Sequence, residues 1–400
     1  MNERADRRTR DTSLGELARL FLKLGTIGFG GPAAHIALME DEVVRRRGWL
    51  TRDAFLDYVG ATNLIPGPNS TELAIEIGRD RAGWPGLLVA GASFIVPAAL
   101  IVGVIAWGYV RFGQLPAMLA LLAGVKPVVI AIVVQALWRL ARTAVKTVWL
   151  AALAAGVIVA VVAGVHELLG LLGAAVVATL GALRKRGGAT RALGAGLPLG
   201  TAWPPAAPTV STATSALGMA AVAPAVSLWP LFGIFLKIGS VLFGSGYVLL
   251  AFLRADFVQR LGWLTERQLL DAVAVGQVTP GPVFTTATFI GYVLGGVPGA
   301  IVATVGIFLP AFVFVALSGP LVPRLRKSPI AGAALDGVNA ASFALMALVT
   351  WQLGRAAIVD VPTALLALGA GVLLAAWRIN AAWLILGGGI VGVWLGSLRA

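Results

Sequence analysis

A ten-residue string written twice constrains this chain more than any other feature. Phe21-Leu22-Lys23-Leu24-Gly25-Thr26-Ile27-Gly28-Phe29-Gly30 returns as Phe235-Leu236-Lys237-Ile238-Gly239-Ser240-Val241-Leu242-Phe243-Gly244. The displacement is 214 residues in a chain of 400. At the same displacement Gly48-Trp49-Leu50-Thr51 meets Gly262-Trp263-Leu264-Thr265, Asp57 meets Asp271, and Pro66-Gly67-Pro68 meets Pro280-Gly281-Pro282. After a slip of one residue, Pro85-Gly86 aligns with Pro298-Gly299, Pro97 with Pro310, and Gly124-Val125 with Gly337-Val338. So long an ordered series marks a duplication, and the fold is therefore two copies of one unit.

The medium follows from what separates these landmarks. Apolar residues make up 58% of the chain and charged ones only 12%, against roughly 25% charged in a soluble domain. Lysine and arginine, which give a formal charge of +13, sit in short stretches between long apolar runs. That is the pattern of membrane loops and not of a nucleic-acid surface. The lipid bilayer is the expected partner and nucleic acid is not. No cysteine is present, so disulfides, thiolate metal sites and cysteine nucleophiles are excluded. His35 and His166 are the only histidines, too few for a histidine-rich metal centre. No phosphate-binding Gly-x-x-x-x-Gly-Lys-Ser/Thr loop occurs, so the chain is not expected to hydrolyse ATP. No cofactor, metal or catalytic set is expected.

Apolar segments near 14–39, 54–78, 84–110, 115–138, 147–165 and 167–183 are followed by a second series near 229–252, 268–292, 297–322, 329–353, 357–376 and 380–398. A spanning helix needs about 20 such residues. The expected fold is an all-α polytopic membrane protein of two homologous repeats. About ten to twelve membrane segments are expected, broken or re-entrant helices among them. Residues 1–13 read as a cytoplasmic tail without a cleavable signal. Residues 14–191 form the first repeat, 192–228 an uncharged proline-rich linker, and 229–400 the second repeat.

Basic residues favour the cytoplasmic face, which bears on orientation. Arg79, Arg81, Arg139, Arg142 and Lys146 occupy two loops of the first repeat whose counterparts hold only Arg355. In the alternate loops the first repeat has Arg111 and the second has Arg324, Arg326, Lys327 and Arg378. The bias flips, which predicts inverted repeats. The first loop, basic in both copies, does not follow the flip. Inversion also requires an odd number of crossings between equivalent points, through one re-entrant segment per half or a linker that crosses.

Two repeated features carry chemistry. Lys23 and Lys237 stand inside apolar segments, where a charge either snorkels to the interface or faces a partner or aqueous cavity. The rarity of such charges favours an anion-facing role. Gly30, Gly31, Gly244 and their neighbours permit tight turns and close backbone approach to a ligand. The second feature is Asn63-Leu64-Ile65-Pro66-Gly67-Pro68-Asn69-Ser70-Thr71-Glu72, paired with Gln277-Val278-Thr279-Pro280-Gly281-Pro282-Val283-Phe284-Thr285-Thr286. Pro-Gly-Pro cannot continue a helix, because two N–H donors are missing. The half-helix that follows presents free N–H groups with partial positive charge. Matching breaks in two halves point to a transporter site. Asn63, Gly67, Asn69, Ser70, Thr71, Gln277, Thr279, Gly281 and Thr285 are the candidate ligands beside them.

Glu72 and Glu76 follow the first break only, four residues apart and so on one helix face. They either carry a coupling proton or pair with Arg79 or Lys126 for structure. Asp57 and Asp271 are expected as helix-start charges, and His35 as structural or a weak proton handler. Trp49, Trp84, Trp107 and Trp263 are expected at interfaces.

Phe29-Gly30-Gly31-Pro32, the two Gly-Trp-Leu stretches, Asn63-Leu64-Ile65-Pro66-Gly67-Pro68, Phe243-Gly244-Ser245-Gly246 and Gln277-Val278-Thr279-Pro280-Gly281-Pro282 resemble the chromate transporter family. The resemblance spans both repeats and implies its long-chain, duplicated form. It implies export of the chromate dianion across a bacterial inner membrane, driven by membrane potential or a proton gradient, with sulfate as the matched competitor. A homodimer is a compatible assembly. Three alternatives stay open at this point: a transporter of sulfate or another oxyanion, an anion channel, and a membrane enzyme acting on lipid-linked phosphate. The enzyme would need a clustered nucleophile, base or metal set, which the scattered His and acidic residues do not supply.

Overall fold

The computed structural model describes residues 12–29, 31–63, 65–113, 115–185, 227–242, 248–318, 328–377, 379 and 381–397. Gly30, Gly244, nearly all of the predicted tail and nearly all of the predicted linker lie outside them. The described residues are helical, with no strand among them. Seven elements of the first half have counterparts in the second. They are α1 (Leu14–Ile27), α2 (Gly31–Glu40), α3 (Arg52–Thr62), α4 (Asn69–Phe112), α5 (Pro116–Ala144), α6 (Val148–Val162) and α7 (Glu167–Lys185). The matching series is α8 (Leu228–Val241), α9 (Leu249–Leu253), α10 (Glu266–Val278), α11 (Thr286–Ser318), α12 (Pro329–Ala357), α13 (Val361–Trp377) and α14 (Ala381–Ser397). Both α2 and α9 run on into a π-helical turn, Asp41–Arg46 and Arg254–Arg260.

The predicted segment 14–39 is not one helix. It breaks after Ile27, at residues 28–29, and the chain doubles back, so that Arg47 reaches Glu16 at 2.7 Å and Glu42 reaches Lys23 at 2.6 Å. A glycine-rich, proline-ended corner cannot hold helical hydrogen bonding. The segment 54–78 behaves alike. It breaks at Pro66-Gly67-Pro68, and its outgoing arm brings Arg81 back to Thr12 (2.9 Å) and to the carbonyl of Trp49 (3.3 Å). The repeated Gly-Trp-Leu-Thr is the hinge between these two hairpins. Thr51 caps α3 through the N–H of Ala54, and Thr265 closes a capping box with Gln268 on α10.

The long helices hide a reversal. At Ala82-Gly83 (Gly83 φ 62°) and again at Gly295-Gly296 (Gly296 φ 60°) the backbone leaves the helix. Gly78 then packs on Gly86 and Gly291 on Gly299, while Thr288 and Thr304 share a hydrogen bond of 2.7 Å. Only after the reversal do the arms 84–112 and 297–318 run straight.

Five described segments are long and apolar enough to span a bilayer: Asn69–Phe112, Pro116–Arg142, Glu167–Arg184, Val283–Leu317 and Ile330–Ala357. Shorter apolar helices are α6, α8, α13 and α14. Their outward faces are hydrocarbon, with Trp84 63% and Trp107 53% exposed.

Packing between the halves is reciprocal. Helix α5 lies against α13 and α14, and α12 against α6 and α7, while α4 packs on α11 and α5 on α12. Gly124 sits on the carbonyl of Gly388 and its counterpart Gly337 on that of Ala174, close approaches that only small residues allow. The arms 84–112 and 297–318 run antiparallel. Gly91 meets Phe312, whereas Val104 and Trp107 line one groove with Val297 and Ile301.

Candidate functional site

The broken tips of the two halves meet in two pairs where the halves cross. The N–H of Gly67 donates to the carbonyl of Leu242 at 2.7 Å, and the N–H of Gly281 donates to the carbonyl of Gly28 at 2.9 Å. Gly67 and Gly281 are equivalent, as are Gly28 and Leu242, so the two bonds are one contact made twice. Each joins the Pro-Gly-Pro corner of one half to the hairpin corner of the other. Gly281 approaches so closely that its Cα lies over Ala98 and the carbonyl of Gly25.

Around this crossing the two halves differ. On the first-half side Ser70, Thr71 and Glu72 are buried in the opening turn of the arm 69–81. Glu72 is fully buried, its carboxyl lies against Gly67, and neither of its oxygens has a hydrogen-bond partner. Thr71 Oγ1 and Asn69 Oδ1 are likewise unpartnered, although Asn69 donates to Asn63, whose own amide donates to the carbonyl of Val59. Buried polar groups are rarely left so, and here four such atoms cluster beside a helix break. On the second-half side the hydroxyls are satisfied internally. Thr279, Thr285 and Thr286 donate to the carbonyls of Val275, Pro282 and Val283 at 2.9, 2.8 and 2.8 Å. Gln277 is buried beside them.

His35, expected as structural or a weak proton handler, stands at this crossing. The ring is 2% exposed. Its Nε2 lies 2.8 Å from the carbonyl of Gly28 and its Nδ1 3.2 Å from Ser70 Oγ. A proton on Nε2 suits the carbonyl, which leaves Nδ1 to accept from Ser70. The signal was its place four residues after Gly31, on the helix that opens at the break.

The predicted cations stand apart from the crossing. Lys23 and Lys237 lie five residues before the corners, each on a carboxylate of the outgoing arm: Glu42 at 2.6 Å and Asp256 at 2.6 Å. Arg46 and Arg47 join Glu42, and Arg260 joins Asp256. These clusters sit in the π-helical turns at the hairpin mouths. The hydrogen bond from Lys23, with the nearby charges of Lys23 and Arg46, holds Glu42 below the ordinary carboxylate range against the opposing effect of burial. Among the other acids, Glu76 approaches Arg79 only at 4.0 Å.

Asp271 is not a helix-start charge. Helix α10 opens at Glu266, and Asp271 is a turn further in, 1% exposed. It faces Lys126 of α5 at 3.1 Å and accepts from Tyr109 of α4 at 3.0 Å. The helix-start acids are instead Asp53 and Glu266, next to the threonine caps. Lys126 therefore serves Asp271 and not Glu72.

Apolar spans, broken helices and buried charge define a multi-pass membrane protein of two repeated helical halves. Comparison with known proteins then supplies the family. The family model described as "Chromate transporter" matches residues 15–180 and again 229–393. The chromate transport protein of Cupriavidus metallidurans is 33% identical over 391 residues, which cover 95% of this chain and 93% of that protein. The probable chromate transport protein of Synechococcus elongatus is 33% identical, with 92% and 91% covered. That of Pseudomonas aeruginosa is 32% identical, with 96% and 92% covered. No solved structure matches the chain. The chain belongs to the chromate transporter family.

Proposed function

We propose that this protein is a secondary transporter that exports chromate, or a like tetrahedral dianion, across a bacterial inner membrane. The observation that carries the reading is the crossing itself. Two equivalent inter-half hydrogen bonds, Gly67 to Leu242 and Gly281 to Gly28, join the four helix breaks in two matching pairs. Broken helices at matching places in two repeats are where transporters hold their substrates. The repeats are inverted in the bilayer, a reading supported by the antiparallel pairing of the arms 84–112 and 297–318 and by the flipped loop charges. The doubled-back hairpins are re-entrant and leave four helices in each half, an even number, so inversion requires one further crossing between the halves.

The dianion sits between the Pro-Gly-Pro corners, where Ser70, Thr71, Asn69 and Gln277 give hydrogen bonds and Gly67 and Gly281 give close backbone approach. Lys23 and Lys237 line the approach at the hairpin mouths. Glu72 couples the cycle. An ionised carboxylate accepts only and repels a dianion, whereas a proton makes it a donor. Anion and proton therefore bind together. One net negative charge then leaves per cycle, which an interior-negative potential favours by about 2.3 kcal/mol per 100 mV. The halves rock about the crossing.

Uptake of labelled chromate into inverted vesicles tests this. Glu72→Gln, fixed in the neutral form, should keep flux but lose its dependence on pH. A wild-type pH profile in that variant sinks the coupling role. Competition by sulfate in the same assay ranks the oxyanions, and a current reversing at the anion's own equilibrium potential would make the protein a channel.

A further inference from the structure

Away from the crossing, a cleft of about 550 Å³ opens between the corner joining α6 to α7, the π-helical turn Arg254–Arg260, and α12. None of the residues at the helix breaks lines it. Its walls divide by chemistry. Val161, Val165, Leu345 and Val349 give one hydrocarbon side, and Arg254, Arg260, His166 and Gln352 give a polar side. Arg254 is held by Glu266 at 2.5 Å, yet its Nε is buried without a partner. The Oε1 of Gln352 is also buried and unpartnered. One orphan is a cationic donor and the other a neutral acceptor, and both belong to residues that line the same cleft.

We infer that this cleft binds one membrane phospholipid whose headgroup carries its own N–H or O–H donors. The phosphodiester takes the guanidinium groups of Arg254 and Arg260, the headgroup donor takes Gln352 Oε1, and an acyl chain lies along Val165 and Leu345. The position suits a lipid. The cleft lies at the ends of α6 and α7 and beside the half-exposed Arg260, where apolar helix surface gives way to charge. A small hydrated dianion gains nothing from the hydrocarbon wall, and a bare acyl chain leaves Arg254 Nε and Gln352 Oε1 without partners. Only a phospholipid matches both. Choline headgroups lack a hydrogen-bond donor, so ethanolamine or glycerol headgroups are selected. This site does not depend on the transport reading.

Native mass spectrometry of the purified full chain tests it, with phosphatidylethanolamine, phosphatidylglycerol and phosphatidylcholine titrated in turn. One lipid should bind above the uniform background, with ethanolamine or glycerol forms ahead of choline. Arg254→Gln should weaken that binding roughly tenfold or more, the worth of a hydrogen bond to a charged group. Val165→Trp fills the hydrocarbon side without touching a charge and should weaken it as well, which separates loss of the site from any misfolding of the arginine variant. Arg139→Gln, at an exposed arginine elsewhere, should bind as wild type does. Equal binding of all three lipids, or of all variants, overturns the assignment. So does glycerol 3-phosphate binding with the same sensitivity to Arg254→Gln, since it would make this a free-phosphate site.

Discussion

Replacing Gly281 with alanine strikes the crossing directly, and its cost can be worked out from the structure. Gly281 has φ +85°, and a methyl there would stand 2.5 Å from Ala98 Cβ and 3.0 Å from the carbonyl oxygen of Gly25. The left-handed backbone alone costs a non-glycine residue about 1–2 kcal/mol. Forcing a methyl into packed neighbours that cannot rotate away adds about 1–3 kcal/mol. Gly262 provides the control, because its φ is +62° and nothing lies within 4 Å of its added methyl. Gly262→Ala carries only the first cost. Thermal denaturation in detergent, followed by size-exclusion fluorescence, should therefore place Gly281→Ala below Gly262→Ala. For a chain of 400 residues, a gap of about 1–4 °C follows at roughly 1 °C per kcal/mol. Adding Ala98→Gly to Gly281→Ala removes the nearest methyl, and the double-mutant cycle should show a favourable coupling between the two sites. Equal midpoints for Gly281→Ala and Gly262→Ala would refute the claim that the Gly281 corner is in tight contact with Ala98 and Gly25 of the other half.

Asp271→Asn leaves Lys126 buried without its partner and should cost about 3–5 kcal/mol. Lys126→Met combined with Asp271→Leu should recover most of that loss in the same melting assay, and failure to recover would give the pair a role beyond charge balance. Glu42 is ionised below its ordinary value of 4.5 when folded, so its contribution is full above that pH and fades as pH falls through the lowered value. The stability gap between wild type and Glu42→Gln should therefore be constant near neutrality and shrink in acid below about pH 4.5; a gap that widens in acid contradicts the ion-pair assignment. Lys23→Gln and Lys237→Gln should each slow chromate uptake into inverted vesicles. The Lys23 change should leave stability within about 1 kcal/mol, as its side chain is 48% exposed. Unchanged rates in both variants would remove the lysines from the path.

Repeats, membrane segments and helix breaks were legible because each rests on local chemistry. Proline and glycine stop helices wherever they stand, and a duplicated string needs no structure to be seen. Direction after a break was not legible. Nothing in Phe29-Gly30-Gly31-Pro32 says whether the chain continues outward or returns, and that is decided by long-range packing, in which Leu17, Phe21 and Leu24 are buried in one cluster with Met39 and Val43 of the returning arm. The reversal at Ala82-Gly83 was hidden for a related reason. Hydropathy separates segments but cannot show that Arg81 comes back to Thr12. Long-range partners were the other loss. Asp271 shares a repeat position with Asp57, which is exposed, so the repeat argued for one role in both. Their difference arises from Lys126 and Tyr109, which the second half does not duplicate.

That asymmetry has a physical logic. An exact two-fold crossing would place identical groups on both sides of a bound dianion, and two equivalent carboxylates there would repel each other as well as the anion. The protein keeps the symmetric part in the backbone, where Gly67 and Gly281 make the same hydrogen bond to the opposite half. It confines the titratable part to one side, with Glu72 and His35 in the first half facing Thr286 and Leu249 at the corresponding places in the second. Under the proposed function, the symmetric frame would let either half serve as the moving part, and a single carboxyl beside one Pro-Gly-Pro corner would set the coupling at one proton. Moving the acid across the axis, with Glu72→Thr and Thr286→Glu together, should then preserve pH-dependent transport if the frame alone sets the geometry. Loss of the pH dependence in that exchanged protein, with the fold intact by melting, would show that His35 and Ser70 on the first-half side are needed for the proton to act.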